Sequence, residues 1–280
     1  MSAVCLILRP CSAPSDLVRP AARRRSYLRM RPTGHHASPA PPRAAKEGMG
    51  RRSSGEERLL TLASKASAGE CGLSRCPSDR GATSGVWFIS SSSAADAPAP
   101  AEGVFKPSSA EHVPPEMAAC FAPGRNMYRE RAAHIVSRAL GGGVPETVIA
   151  TVRHGDLPGG GGEGSLQRFS PGEDMGDLGP EGLREEEVQR LALLDLLLLN
   201  CDRHEGNVLV TPQGGLVPID HGLCLPRLVP AQEGEKPPTR VLKDTWFAWQ
   251  GWRQADLPVS AALARDAAAL LGRERVGGLA

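Results

Sequence analysis

The chain has 280 residues, 40% of them hydrophobic and only 4% aromatic, with 32 Gly and 25 Pro; this allows one compact domain but carries too much glycine and proline for the whole chain to pack. The net charge of +2 hides an asymmetry, since residues 1–60 hold eleven Arg and one Lys against four acids while the remainder is acidic, yet no segment is basic enough to indicate a nucleic-acid partner. The seven cysteines are odd in number and form no Cys-x-x-Cys pair, which fits reduced thiols in a cytosolic or organelle-stromal compartment, and no apolar run approaches the roughly 18 residues of a membrane-spanning helix.

Residues 1–80 are rich in Arg, Ser, Ala, Pro and Gly without sustained periodicity, which predicts a disordered N-terminal region. Its first 45 residues contain one acid, Asp16, and the run Arg23-Arg24-Arg25; that composition suits an organellar transit peptide and equally a solvated low-complexity tail. Leu59 to Ala68 has the pattern of a short helix. From residue 81 the texture changes, and a folded domain is predicted over 81–280. Ser84 to Ile89 reads as a strand entered through Gly85, and Gly103 to Pro107 as a second strand ending in Phe105-Lys106-Pro107.

Tyr128 to Leu140 follows helical spacing, with Ala132, Ile135, Val136, Ala139 and Leu140 as its apolar stripe and Gly141 to Gly143 as its stop. Glu130 lies in its first turn. Val144 to Val152 and Gly164 to Phe169 read as strands, and the run Gly159 to Gly162 between them lacks the Lys-Ser/Thr of a phosphate loop, so a connector is expected. Leu183 to Leu199 is a helix passing from acids at 185–187 to leucines, with one acid, Asp195, inside the apolar part. A buried carboxylate needs partners and the loop that follows is adjacent, so a structural role is expected for Asp195.

That loop, Asn200 to Asn207, leads into a hairpin of Val208–Val210 and Leu216–Ile219, and then directly to Asp220, His221 and Gly222. An Asp and an Asn five residues apart, followed by a hairpin ending in Asp-x-Gly, is how kinases bring a catalytic acid and two metal-binding side chains to one phosphate. A transferring phosphoryl group needs positioning and positive charge. Asn207 and Asp220 offer oxygen ligands for magnesium, Asp202 can orient or deprotonate the attacking hydroxyl, and Arg203 and His204 can donate to phosphate or pin the loop. After Pro226, a charged and proline-rich stretch offers Arg227, Lys236, Arg240 and Lys243 as contacts to an anionic surface or as ordinary loop charges. Trp246, Trp249 and Trp252 follow, and a last helix is predicted over Ala261 to Leu271.

The order Asp202-Arg203-His204-x-x-Asn207, then Ile219-Asp220-His221-Gly222, resembles the phosphatidylinositol 3/4-kinase superfamily. The wording IDHGLCLP at 219–226 is similar to the plant-type type II phosphatidylinositol 4-kinases of the gamma group. The resemblance covers about residues 82–270 and implies an α+β, two-lobed protein-kinase-like fold, with residues 81–170 as N-lobe and hinge and 171–280 as a shortened C-lobe. It implies ATP and Mg2+, with Lys106 paired to Glu130 over the nucleotide phosphates and with Gly85, Gln167 and Phe169 around the nucleotide. The acceptor it implies is phosphatidylinositol, met at a peripheral membrane surface. A protein hydroxyl is the alternative acceptor, and a truncated nucleotide-binding pseudokinase is the non-catalytic alternative.

Overall fold

The computed structural model describes residues 52–76, 85–91, 100–228 and 245–277, with side chains of the last helix up to Ala269. The basic segment 1–45, Ser84, and the loop residues Lys236, Arg240 and Lys243 lie outside the described residues. The first helix, α1 (Ser54–Ser67), has Glu56 and Glu57 in its first turn and Lys65 in its last, as the helix dipole favours. It buries Leu59, Leu62, Ala63 and Ala66, spaced i, i+3, i+4, i+7.

Five strands follow: β1 (Gly72–Arg75), β2 (Trp87–Ser90), β3 (Gly103–Pro107), β4 (Thr147–Arg153) and β5 (Gly161–Arg168). They form one antiparallel sheet in the order β1-β2-β3-β5-β4. Residues opposite one another in such a sheet share a face, so the register puts Trp87, Phe105, Leu166 and Val148 in one cross-strand row. This row packs against the apolar stripe of α1. The next row, Phe88, Val104, Gln167 and Thr147, and beyond it Lys106 and Ser165, point to the other face. Gly103 is required under α1, because a Cβ there would come within 2.9 Å of both Leu62 and Leu166.

The folded region therefore begins upstream of the boundary expected at residue 81. Within a region expected to be disordered apart from a short helix over Leu59 to Ala68, Ser54–Ser67 form the helix that covers the sheet and Gly72–Arg75 the sheet's edge strand. The physical reason is the apolar row itself, which α1 covers and which must leave water. The glycine run does connect two strands: Gly159, Gly160 and Gly161 all have positive φ in the turn from β4 to β5, a conformation glycine adopts without steric cost.

Helix α2 (Asn126–Ala139) also departs from the pattern read in the sequence. Its buried side chains are Met127, Glu130, Ala133, His134 and Ser137, whereas Ile135 is exposed. The buried face is largely polar because it meets charged groups on its neighbours, which periodicity of apolar residues cannot detect. Beyond β5 come β6 (Glu173–Asp174), α3 (Met175–Leu178), α4 (Glu185–Leu198), β7 (Val208–Val210), β8 (Leu216–Pro218) and α5 (Ala261–Gly277). β6, β7 and β8 make a small second sheet in that order.

Helix α4 joins the two lobes. Val188 and Leu191 pack with Val208, Leu216, Trp249 and Trp252, while Leu194 and Leu198 pack with Ala133, Leu140 and Cys224. The result is an α+β, two-lobed kinase-like fold, with the five-stranded sheet, α1 and α2 on one side of the joining helix and the small sheet, Trp249 and Trp252 on the other. Among the described residues no helix is long and apolar enough to cross a membrane. Since Leu62 is buried between α1 and the sheet, Leu62→Ala is expected to destabilise the fold by about 2–5 kcal/mol, read as a lower urea midpoint at unchanged slope.

Candidate functional site

Helix α4 ends at Leu199, whose backbone is left-handed (φ 45, ψ 57), and this turns the chain sharply into the loop. Asn200 fixes the turn on both sides, donating from Nδ2 to Asp195 Oδ1 at 3.2 Å and accepting the Asp202 N–H at 3.1 Å. A single 3-10 turn, Glu205–Asn207, then feeds β7, and Ile219 N–H donates to the Asn207 carbonyl at 3.0 Å. The hairpin thereby returns Asp220 beside the loop it left.

Arg203 holds this arrangement from inside. Its side chain is fully buried, with Nε 3.1 Å from both Asp195 oxygens, Nη1 donating to the carbonyls of Asn207 and Ile219, and Nη2 donating to His221 Nε2 at 3.0 Å. Asp195 also accepts from Trp249 Nε1 at 3.0 Å. Every polar atom of the guanidinium thus has a partner within the protein, as a buried cation requires. Arg203, named among the catalytic residues from its place in the motif, is turned inward and away from any phosphate; of its two expected roles the structure supports pinning the loop. Because an arginine only donates, His221 Nε2 accepts and its proton sits on Nδ1, 3.7 Å from Glu130 Oε2.

The functional side chains converge on the cleft beside this clamp. Lys106 Nζ lies 2.6 Å from Glu130 Oε1 and 3.1 Å from Asp220 Oδ1, so the strand lysine, the helix glutamate and the hairpin aspartate meet as one group. Burial works against the charged lysine, but Asp220 and Glu130 outweigh it and raise its pKa above the ordinary value. For Glu130 burial acts upward and Lys106 reverses it, holding the carboxyl well below the usual range. Asn207 is buried, donates from Nδ2 to the Asp202 carbonyl at 2.9 Å, and leaves Oδ1 without a protein partner. Asp220 has φ 54, a left-handed conformation that Asp and Asn tolerate better than most residues.

Asp202 follows the same loop. Burial, and secondarily the charge of Asp220, push its carboxyl up to about 7, against the opposing effect of Arg203. His204 is partly buried with its ring against Gly206, and burial lowers its pKa so that the neutral ring is favoured. Gly85, Lys106, Glu130, Ser165 and Asp220 line one cleft; a Cβ at Gly85 would press within 2.5 Å of the Trp87 ring. Phe169 packs edge-on to Phe88 at 6.0 Å, beside Val86 and Val104, on the Lys106 face of the sheet. Gln167 is less available than its position suggested: its Nε2 donates to Thr147 Oγ1 at 3.0 Å and the side chain is buried. The Phe169 N–H is likewise already donated, to the Glu102 carbonyl.

Trp249 escaped sequence reasoning as a partner of Asp195. The signal was present, because a buried indole N–H must find an acceptor and Asp195 was the one acid in an apolar helix. Asn200 was also missed; its position at the end of the helix, where turn-forming Asn is common, was the available cue.

Two measurements test these electrostatics. Asp195→Leu leaves the Arg203 guanidinium buried without its counter-charge, and a loss of about 3–5 kcal/mol in denaturant unfolding is expected. A folded-state pKa raised above its unfolded value contributes stability that is present at low pH and is lost as pH rises from the unfolded pKa, about 4, through the folded one. Asp202→Asn is therefore expected to raise the melting temperature more at pH 8 than at pH 5, in metal-free buffer.

The geometry agrees with what the chain resembles. The family model described as Phosphatidylinositol 3- and 4-kinase matches residues 170–248. Phosphatidylinositol 4-kinase gamma 8 of Arabidopsis thaliana is 34% identical over 165 residues, 51% of this chain and 28% of that protein. Phosphatidylinositol 4-kinase gamma 4 of Oryza sativa subsp. japonica is 37% identical over 150 residues, 48% of this chain and 24% of that protein. The chain thus spans about a quarter of the length of these curated relatives. A solved structure of the bifunctional kinase-methyltransferase WbdD, at 15% identity and TM-score 0.27 over 68% of this chain and 47% of that one, overlaps too slightly to bear on the fold. The residues that this family model matches include the Asp202 loop and the returning hairpin and end one residue before Trp249.

Proposed function

We propose that the chain transfers the γ-phosphate of ATP to a hydroxyl of phosphatidylinositol, at the 4-position of the ring. The observation that carries this reading is the meeting of Lys106 with Glu130 and Asp220, beside a loop holding Asp202 and the unpartnered Asn207 Oδ1. The apolar face formed by Phe88, Val104 and Phe169 suits an adenine ring. Glu130 holds the Lys106 ammonium toward the phosphates, and Gly85 leaves the covering strand close to them.

Asn207 Oδ1 and the Asp220 carboxylate fit a magnesium ion, a hard cation that prefers oxygen donors, and a buried amide oxygen without a protein partner is a ready ligand. When bound, magnesium supplies charge neutralisation at the phosphates. In the transfer itself the acceptor oxygen forms a bond to the γ-phosphorus, the bond from that phosphorus to the β,γ-bridging oxygen breaks to release ADP, and the hydroxyl proton passes to the Asp202 carboxylate. A carboxyl raised to about 7 is a better base at neutral pH than an ordinary aspartate. His204, neutral and beside the same loop, can donate a hydrogen bond to a phosphate oxygen.

The lipid acceptor is supported by the names of the relatives. Exposed Trp246 and Leu225, on either side of residues 229–244, offer apolar contacts to a bilayer surface, which a peripheral enzyme would use in place of a spanning helix. The test is labelled γ-phosphate transfer by the full chain into phosphatidylinositol vesicles and, separately, into a generic protein substrate. Lipid labelling reduced at least about 10³-fold by Asp202→Ala and by Asp220→Asn is expected. Labelling of protein alone would make the acceptor a protein hydroxyl, and nucleotide binding without transfer would make the chain a pseudokinase. The wild-type kcat/KM is expected to rise with pH and level off above about 7, as Asp202 loses its proton.

A further inference from the structure

Helix α2 presents Glu130 to Lys106, and something must hold the helix at that distance. On the side away from the cleft its polar side chains converge on one acid of α1. Glu56 is almost completely buried (1% exposed), and its Oε1 lies 2.7 Å from Arg131 Nη1, 3.4 Å from His134 Nε2 and 3.6 Å from Arg138 Nη1. Arg131 Nη1 also donates to the carbonyl of Thr147, the first residue of β4. Arg131, His134 and Arg138 are spaced i, i+3, i+7, one stripe of α2. The Glu146 carboxylate lies against Gly55 in the first turn of α1, and the α1 stripe packs on the sheet that carries Lys106.

We infer that Glu56 is a positioning residue for phosphoryl transfer: by anchoring the Arg131 stripe it fixes α2 to the sheet, and so sets the distance between Glu130, one residue before Arg131, and Lys106 on β3. This rests on the function proposed above. The charge is needed as well as the contact. His134 is held neutral by burial and by the neighbouring Arg131, so the arginines supply the positive charge and a buried carboxylate is what they require. Without it, Arg138, half exposed, can turn to water, but Arg131 keeps only its carbonyl partner and α2 loses its charged link to α1. The Lys106–Glu130 pair then samples longer separations, and since the lysine acts on the nucleotide phosphates, the loss falls on nucleotide use.

The experiment compares three full-chain variants: Glu56→Gln, which keeps shape and loses charge; Glu56→Asp, which keeps charge; and Leu62→Ala, which weakens α1 through packing alone. Hydrogen exchange of the 126–139 amides in nucleotide-free protein is measured below each variant's melting transition, beside kcat and KM for ATP. The expected result is exchange at least tenfold faster in Glu56→Gln than in Leu62→Ala, a tenfold or greater rise in KM for ATP against a smaller change in kcat, and partial rescue of both in Glu56→Asp. Equal exchange in Glu56→Gln and Leu62→Ala, or an unchanged KM for ATP in an active Glu56→Gln, would overturn it. A wild type that transfers no phosphate sinks the function proposed above, whereas the exchange comparison still decides the anchoring. Should Glu56→Gln not fold, Arg131→Lys, which keeps charge but shortens the arm whose Nη1 meets both Glu56 and the Thr147 carbonyl, is read by the same measurements and against the same outcomes.

Discussion

The buried pair of Asp195 and Arg203 is the constraint on which the site depends. Two opposite charges at 3.1 Å, both fully removed from water, do not make a fold more stable than a well-packed apolar pair would. What they supply is definition. The remaining guanidinium donors are committed to the carbonyls of Asn207 and Ile219 and to His221, so the loop and the returning strand cannot shift independently. Asn207 and Asp220 inherit their separation from one side chain that itself touches no substrate.

A second, separate set of charges governs the other half of the cleft. Helix α2 buries Glu130, His134 and Ser137 where a simple amphipathic helix would bury leucines. Its polar face serves two partners at once, the sheet lysine on one side and the first helix on the other. Ser137 adds a third, accepting the Val144 N–H at 3.0 Å and so tying the end of α2 to the approach to β4. Position in this lobe is set by directional polar contacts, while apolar contact between α1 and the sheet supplies the bulk of the burial.

The parts of the molecule that could be read from sequence are those in which chemistry imposes a local order. Asp202, His204, Asn207 and Asp220 stand at fixed separations because one loop and one hairpin must bring them together, and the strands Gly103–Pro107 and Val208–Val210 have the bounds expected. Phe105-Lys106-Pro107 and Glu130, 24 residues apart, could be matched to each other only through a resemblance. The parts that could not be read are long-range and carry no local pattern. Glu56 looks like any first-turn acid, and the basic side chains it meets on α2 lie 75 or more residues away. The first helix shows in the pattern of Leu59 to Ala68, but its place in the folded domain does not, because its purpose, covering Trp87 and Phe105, is recorded in other strands. Gln167 and Phe169 showed the opposite error: their positions were found, but the use of their polar groups by Thr147 and Glu102 was not.

The left-handed backbone at Asp220 bears on how this site can drift in evolution. Most side chains at φ 54 cost roughly 1–2 kcal/mol, and Asn, Asp and Gly cost less. Of those three, only aspartate also carries the charge that faces Lys106. Asparagine and glycine satisfy the backbone and abandon the ion pair; glutamate keeps the charge but lengthens the arm and strains the chain. No single amino-acid exchange meets both demands, so the position is a local dead end in sequence space, and any lineage that leaves it must alter its lysine or its hairpin as well.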